Sequence, residues 1–194
     1  MATKCINTIK QEVKKLLSTG RFVHSEAVAQ TAKELAEQWQ VDAQKAYLAG
    51  ILHDIAKEIS LEEMQSYLCA EKLWPEEWLS KNLLHSKVGA IIAKEAFGIE
   101  DSEILDAIQN HTIGGENLDP LSKILYIADF IAPGRKQAGV DEVRKLAEID
   151  LEQALLEVYS RTIFHLESKG CWIHPASMAG YQAELKKIKE RRQS

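Results

Sequence analysis

Apolar residues recur at intervals of three and four positions along almost the whole chain, and strict alternation over the length of a strand is hard to find. Spacing of this kind places apolar side chains on one face of an α-helix. The sequence therefore predicts an all-α fold. The predicted helices cover about 4–18, 24–40, 42–57, 61–72, 76–81, 86–97, 102–111, 120–132, 140–147, 150–169 and 176–191.

Glycine, proline and small polar residues mark the ends of these helices. Glycine can follow a helix with a positive φ, and proline cannot donate to the preceding turn. The expected breaks are Gly20, Gly98, Gly114-Gly115 and Pro133-Gly134. The expected N-caps are Ser60, Asp101 and Asp150. Without an internal repeat or a Gly/Ser linker, residues 1–194 are predicted to form one domain, with its core between about residues 10 and 180.

The charge balance limits the classes of ligand. Lys and Arg number 24 against 29 Asp and Glu, giving a net charge of −5 over 194 residues. No general basic field is available to hold nucleic acid, so an anionic ligand needs local positive charge. The terminal run KKIKERRQS is expected to be a solvated helix end, with a nucleic-acid or partner-binding tail as the alternative.

Cysteine use and hydropathy indicate a cytoplasmic protein. Cys5, Cys69 and Cys171 form no CxxC pair and suggest neither a disulfide framework nor a thiolate zinc site. The N-terminus lacks the continuous apolar core of a signal peptide, and the longest apolar run, from Ile124 to Ala132, is interrupted by an aspartate. We therefore expect no membrane partner. A homodimer could form through an exposed apolar helix face, which the sequence does not locate.

Two polar sites within apolar helical segments carry the chemical information. His53-Asp54 ends the run that begins at Ala46, and Asp129 lies in the middle of another apolar run. Burying an unpaired ion costs several kcal/mol, so these groups need partners. A metal cation would serve several of them together.

The histidines supply the other candidate ligands. Any single histidine on a helix is more often a packing or surface residue, which is the interpretation kept for His165. The joint pattern is different, because four histidines near predicted helix ends can converge in a helical bundle. They are His24, His53, His85 and His111. Imidazoles with carboxylates suit iron, manganese, cobalt or zinc.

The order of these residues carries a family resemblance. The motifs are Arg21-Phe22-Val23-His24, Leu52-His53-Asp54-Ile55-Ala56-Lys57, His85-Ser86-Lys87-Val88-Gly89-Ala90, Asn110-His111-Thr112 and Ala128-Asp129-Phe130-Ile131-Ala132-Pro133-Gly134-Arg135. The chain resembles the HD superfamily of metal-dependent phosphohydrolases. The resemblance is closer to the bacterial YqeK family of symmetrical dinucleoside tetraphosphatases, and it extends from about residue 10 to residue 180.

The resemblance implies a metal centre with one or two divalent ions, with iron as the expected metal. One ion would be held by His24, His53, Asp54 and Asp129. His85 and His111 would hold a second ion that shares Asp54, or would instead hydrogen-bond to phosphate. A carboxylate can bridge two cations, which together lower the pKa of a water and clamp phosphoryl oxygens.

Several further residues are candidates for substrate contact. Lys57 is a candidate catalytic residue beside Asp54, with a surface lysine as the alternative. Arg21 and Arg135 flank two metal-ligand candidates and could hold phosphates bidentately, although either could be a surface arginine. The remaining candidates are His24, His85, His111 and Thr112, together with Ile173, His174 and Pro175.

The resemblance places the segment around Ile173-His174-Pro175 against the nucleoside. Trp172 could then stack on a base, and the alternative is a helix-to-helix turn in which Trp172 caps the core.

The predicted activity is symmetrical hydrolysis of a dinucleoside polyphosphate, with diadenosine tetraphosphate giving two ADP. Two alternatives stay open from the residues. One is another HD-type phosphohydrolase acting on nucleoside mono-, di- or triphosphates or on an alarmone, because the metal ligands contact phosphate and not the rest of the substrate. The other is a non-catalytic nucleotide-sensing helical module with a structural metal site.

Overall fold

The computed structural model describes residues 5–68 and 72–193. The described residues form helices and no strand, which confirms the predicted all-α class. The helices are α1 (Ile6–Leu16), α2 (Thr19–Gln38), α3 (Ala43–Leu52), α4 (Leu61–Tyr67), α5 (Pro75–Trp78), α6 (Lys81–Glu95), α7 (Ser102–Asn110), α8 (Pro120–Ile131), α9 (Val140–Ile149), α10 (Leu151–Ser168) and α11 (Pro175–Gln193). No helix among these residues is long and apolar enough to cross a membrane.

The main core lies where α2, α3, α7 and α8 pack against one another. Helices α9 and α10 cover α8, and α11 packs on α10. Fully buried side chains such as Leu52, Ile108 and Ile124 come from these helices, and each stabilises the fold by about 1.5–3 kcal/mol. A smaller apolar cluster joins α4 to α6 around Met64 and Leu84.

Helices α2 and α3 approach each other closely because residue 50 is glycine. A Cβ atom on Gly50 would lie 2.5 Å from the Cα and 2.8 Å from the backbone N of Ala29. No side chain fits in that space without moving one helix. The contact sets how far α3, and the residues that follow it, lie from α2.

The helix ends largely follow the predicted signals. Ser60, Asp101 and Asp150 are N-caps whose side chains accept hydrogen bonds from backbone N–H groups of the first turn. Helix α8 ends at Ile131, directly before the Pro133-Gly134 pair. The prediction of a helix over 61–72 extends onto residues 69–71, which lie outside the described residues, as does Cys69.

The prediction that Gly20 ends the first helix is wrong. The break falls at Leu17 and Ser18, and Gly20 lies in the first turn of α2. Ser18 is the N-cap, since its Oγ accepts from the backbone N of Arg21 at 3.4 Å. The Glu58 carboxylate also accepts from the backbone N of Ser18 at 2.7 Å, which fixes the break. His24 consequently lies inside α2, one turn past its start.

The predicted helix over 42–57 is too long. Helix α3 ends at Leu52, and the chain continues in tight turns such as Lys57 N donating to Asp54 O at 2.9 Å. The ring of His53 explains the end, because its Nδ1 bonds to the carbonyl of Gly50 at 2.7 Å. A continuing helix would use that carbonyl for the backbone N of Asp54.

Helices α5 and α6 begin earlier than predicted. The helices expected over 76–81 and 86–97 are α5, starting at Pro75, and α6, starting at Lys81. His85 therefore lies within α6 rather than ahead of it. Proline is favoured in the first helical turn because its missing N–H has no partner there.

Candidate metal and phosphate site

Six ionisable side chains from five segments of the chain converge on one point. The segments are α2, the turns after α3, the first half of α6, the C-cap of α7 and the second half of α8. The structure thus brings together all six residues that the sequence predicts as metal ligands. They are His24, His53, Asp54, His85, His111 and Asp129.

Three of the histidines are oriented by the same local arrangement. The Nδ1 atoms of His53, His85 and His111 lie 2.7, 2.8 and 2.7 Å from the carbonyl oxygens of Gly50, Asn82 and Ile108. Each partner is the residue three positions earlier in the chain. A carbonyl can only accept, so each Nδ1 carries a proton and each Nε2 faces the centre. These hydrogen bonds fix the orientation of the three rings, so that each Nε2 can coordinate a metal ion.

Asp54 lies at the middle of the cluster. Its Oδ2 is 3.4 Å from His53 Nε2 and 3.8 Å from His24 Nε2. Its Oδ1 is 3.2 Å from His85 Nε2 and 3.8 Å from His111 Nε2. The two carboxylate oxygens therefore face different pairs of histidines. A carboxylate placed in this way can bridge two cations.

Asp129 completes the first of these pairs. Its Oδ1 lies 3.0 Å from His24 Nε2 and 3.8 Å from His53 Nε2. The potential ligand atoms of His24, His53 and Asp129 all lie within 4.8 Å of one another, and so do those of His53, Asp54 and His111. The cluster has the size of a coordination sphere.

The Nε2 atom of His53 indicates that a metal ion fits these residues. His53 is fully buried, and its Nε2 has no hydrogen-bond partner among the described residues. A buried polar atom without a partner is costly, and coordination of a cation would satisfy it. Imidazole nitrogens and carboxylate oxygens together suit a divalent transition metal. The donor set fits such an ion.

The cluster keeps both carboxyl groups ionised. Burial alone would raise the pKa of Asp54, but the adjacent imidazoles, His53 foremost, hold it well below its ordinary range. Burial also opposes ionisation of Asp129, and the hydrogen bond from His24 outweighs it and lowers the pKa. Both groups carry negative charge at neutral pH and can compensate a cation.

The second pair of histidines is neutral. Burial lowers the pKa of His111 to about 3 and also lowers the pKa of His85. Burial acts on His53 in the same direction, but the charge of Asp54 exceeds it and raises the pKa. His85 and His111 therefore offer unprotonated nitrogens at pH 7, as metal ligation requires.

Two arginines bind the carboxylates of the cluster. Arg21 Nη1 donates to Asp54 Oδ2 at 2.7 Å. Arg135 donates from Nη2 to Asp129 Oδ1 and from Nε to the backbone oxygen of Asp129 at 2.8 Å. The Nη2 of Arg135 also lies 3.3 Å from His24 Nε2. Both guanidinium groups thus lie at the ligand cluster, as expected from their flanking positions in the sequence.

Lys57 approaches the cluster from the other side. Its Nζ lies 3.2 Å from His85 Nε2, and the side chain is largely buried. Burial lowers the pKa of Lys57, while the charge of Asp54 acts in the opposite direction. The catalytic role of Lys57 stays a prediction.

A cavity of about 340 Å³ opens directly onto the cluster. Thr112 lines it, with its Oγ1 3.1 Å from both His85 Nε2 and His111 Nε2. The sequence analysis missed several lining residues, since nothing in their local pattern distinguishes them from packing residues. They are Tyr126, Phe130, Gln137, Val158 and Thr162.

Tyr159 supports the loop that follows His111. Its hydroxyl accepts from the backbone N of Gly115 at 2.9 Å and donates to the carbonyl of Gly115 at 3.1 Å. A Cβ on Gly114, whose φ is +75°, would lie 2.3 Å from that hydroxyl. The close approach needs glycine and holds the loop bearing Thr112 at the cavity.

The segment predicted to contact the nucleoside lies elsewhere. Ile173, His174 and Pro175 are not among the residues that line this cavity. Instead, His174 Nε2 lies 3.5 Å from Oε2 of Glu77, which is buried in α5. Trp172 packs edge-on against His174, with ring centroids 5.3 Å apart. Their contact with a nucleoside stays a prediction.

Comparison with known proteins agrees with this fold and site. The family model described as "HD domain" matches residues 21–134, a range that contains all six ligand candidates. The all-α fold and the His/Asp centre are those of a divalent-metal-dependent phosphohydrolase, and the chain belongs to the HD domain family.

Two similar proteins within this family share one name. The chain is 42% identical over 171 residues to the symmetrical bis(5'-nucleosyl)-tetraphosphatase of Bacillus subtilis, covering 87% of this chain and 91% of the relative. It is 40% identical to the protein of the same name from Halalkalibacterium halodurans, covering 90% and 94%.

A solved structure is also similar. It is described as a predicted HD superfamily hydrolase involved in NAD metabolism from Clostridium acetobutylicum. The TM-score is 0.91 at 36% identity, with 96% of this chain and 100% of that chain covered. The similarity therefore includes the helices outside the HD match.

Proposed function

We propose that this protein is a metal-dependent enzyme that hydrolyses dinucleoside polyphosphates symmetrically, converting diadenosine tetraphosphate and water into two ADP. One observation carries the proposal. The two oxygens of Asp54 face two pairs of histidines at the base of a cavity lined by cationic side chains. Relatives at 42% and 40% identity bear the name of this activity.

The reaction breaks one bond and forms one. The bond that breaks joins the central bridging oxygen to one of the two middle phosphorus atoms. Water supplies the oxygen of the new P–O bond. The departing ADP keeps the bridging oxygen on its terminal phosphate. When bound, divalent metals supply positive charge to the phosphate oxygens and lower the pKa of water.

The residues of this chain would hold the ions and the substrate. His24, His53, Asp54 and Asp129 would hold one ion, and His85 and His111 a second ion that shares Asp54. Iron is the proposed metal, since a set of imidazoles and carboxylates accepts it. Asp54 is the central catalytic residue in this proposal.

Cationic side chains would bind the phosphates. Arg21, Lys57 and Arg135 all line the cavity and bring positive charge to the place where phosphoryl oxygens would lie. Thr112 adds a neutral hydroxyl beside His85 and His111. In a site partly closed to water, these charges act more strongly on the transition state than they would in bulk solvent.

A nucleotide panel tests the proposal. Purified protein loaded with Fe²⁺, Mn²⁺, Co²⁺ or Zn²⁺ is incubated with diadenosine tetraphosphate, ADP, ATP, AMP and an alarmone, and the products are separated by chromatography. We expect ADP as the sole product from diadenosine tetraphosphate, with one atom of ¹⁸O per two ADP when the reaction runs in labelled water. Release of ATP with AMP, or faster turnover of the simple nucleotides, would contradict it.

The panel also addresses the sensing module. A sensor would bind ADP without releasing any product from metal-loaded mixtures. A cytoplasmic location, a homodimer and the absence of nucleic-acid and membrane partners stay predictions from the sequence.

A further inference from the structure

A second cavity of about 510 Å³ lies beside the first. The two cavities share four lining residues, Phe130, Arg135, Gln137 and Thr162. A molecule whose phosphates lie at the metal ligands could therefore extend past Arg135 into the second cavity. The volume is within the range of about 300–1,000 Å³ that small-molecule sites occupy.

The far side of this cavity offers a second positive charge. Arg161, on α10, lines it and is fixed by two contacts. Its Nε lies 2.8 Å from Oε1 of Glu157, and its Nη1 donates to the carbonyl of Ala138 at 3.1 Å. A guanidinium that is already ordered loses little entropy when it binds a ligand. Two arginines thus line the second cavity, Arg161 and the Arg135 that it shares with the first cavity.

The guanidinium of Arg161 also lies against Gly139, in the loop between α8 and α9. A Cβ on Gly139 would lie 1.4 Å from Arg161 Nη1, so only glycine allows the side chain to lie where it does. Gly139 has a φ of +83°, which favours glycine for a second reason. The loop between α8 and α9 and the side chain on α10 therefore form one wall of the cavity.

Aromatic side chains provide apolar surface for a base. Phe130 lies at the junction of the two cavities, and Phe164 lines the second one while 72% of its surface is exposed. His165 lies next to Phe164 in the same lining. An exposed aromatic ring in the wall of a cavity offers a stacking face for a nucleobase.

We infer that this second cavity binds the nucleoside half of the substrate that lies beyond the scissile bond, with Phe164 stacking on its base and Arg161 contacting its phosphates. The inference rests on the proposed function, because a symmetrical dinucleoside substrate has two identical halves. The first cavity, at about 340 Å³, opens on the ligand cluster and holds the central phosphates. The second supplies a separate place for one of the two nucleosides.

The test compares Phe164→Ala and Arg161→Gln with the unchanged protein. We expect the KM for diadenosine tetraphosphate to rise about ten-fold in Phe164→Ala, since one stacked base is lost, with a smaller change in kcat. Phe164→Tyr keeps the ring and should restore most of the affinity. Ile149→Ala removes a similarly exposed apolar side chain, 74% exposed, that lines neither cavity, and should leave the kinetics unchanged.

Calorimetric titration with ADP gives an independent measurement. The metal-loaded protein should bind two ADP molecules per chain, and Phe164→Ala should bind one at the same concentrations. Unchanged KM and unchanged stoichiometry in both variants would overturn the inference while leaving the proposed function intact. If the unchanged protein fails to split diadenosine tetraphosphate, the proposed function is wrong, and the loss of one ADP site in Phe164→Ala still decides whether the cavity binds a nucleotide.

Discussion

Asp54 combines three properties that are separate in most carboxylates. It is almost fully buried, its pKa is held low by neighbouring imidazoles, and its two oxygens face different histidine pairs. The negative charge persists in a buried place only because cationic or polar partners surround it. Arg21 provides one such partner in the structure, and a metal ion would provide a stronger one.

Replacing Asp54 by alanine should abolish hydrolysis, with a fall of at least about a hundred-fold in kcat/KM. The reason is that both groups of histidines lose the carboxylate they would share. Metal content by elemental analysis and turnover of diadenosine tetraphosphate measure the effect. Asp106→Ala is the matched control, because Asp106 is exposed on α7 and should tolerate the change. Near-normal turnover at normal metal content in Asp54→Ala would refute the assignment.

We expect Asp129 to act in metal binding and Arg135 in phosphate binding, so that substitutions of the two residues have different effects. Asp129→Asn keeps the shape but removes the charge that balances a cation, so we expect metal and activity to be lost together. Arg135→Ala should retain metal while kcat/KM falls about ten- to a hundred-fold, because a charge-assisted bond worth roughly 1.5–3 kcal/mol is lost. Metal stoichiometry and steady-state kinetics on both variants separate the two roles.

Either assignment can fail independently. If Asp129→Asn retains its full metal content, Asp129 is not a ligand. If Arg135→Ala keeps the kinetics of the unchanged protein, its contacts with Asp129 and His24 serve only the structure of the α8 terminus.

At the scale of helices, the sequence predicts which segments are helical better than where each one ends. Apolar periodicity reports a buried face and identifies α7 and α8 nearly to their ends. Gly20 misleads because a glycine can also occupy the first turn of a helix, while Ser18 is fixed by Glu58, forty residues away. The end of α3 depends on a ring bonding to the carbonyl of Gly50. Neither contact leaves a signal in local periodicity.

In the candidate site too, some residues could be predicted from the sequence and others could not. The six ligand candidates follow from polar residues in apolar surroundings and from the family resemblance. The second cavity wall does not, because Arg161, Phe164 and His165 read as ordinary residues of a long surface helix. The packing of α10 beside the loop after α8 brings them to a cavity that adjoins the first one.

Helix packing should also control the metal ligands. In Gly50→Ala the added methyl group meets the backbone of Ala29, so α3 must move relative to α2. We expect a loss of about 1–3 kcal/mol in the free energy of unfolding, and about ten-fold weaker metal binding because the Gly50 carbonyl orients His53. Chemical denaturation and metal titration measure the two effects.

Gly20→Ala is the matched control. Gly20 lies in α2 with no atom within 4 Å of an added Cβ, so alanine should be neutral or raise stability by up to about 1 kcal/mol. Equal stability and equal metal affinity in Gly50→Ala and the unchanged protein would show that the α2 and α3 contact does not hold the ligand in place.

For the whole molecule, the ligand cluster links segments that are distant in the chain. The ligand candidates come from α2, the turns after α3, α6, the C-cap of α7 and α8, so an ion bound there joins most of the main core. Arg21 and Arg135 also compensate the charges of Asp54 and Asp129. The fold should therefore survive metal removal with lower stability.

Removing the metal with a chelator should lower the Tm without abolishing helical structure. An ion present at a hundred times its Kd adds about 2.7 kcal/mol, which corresponds to roughly 5–10 °C for a chain of this size. Thermal unfolding followed by far-ultraviolet circular dichroism, before and after metal is restored, measures the shift. Asp54→Ala should show no metal-dependent change in Tm. A Tm that stays the same on chelation, with metal loss verified by elemental analysis, would mean that the ion does not link these helices.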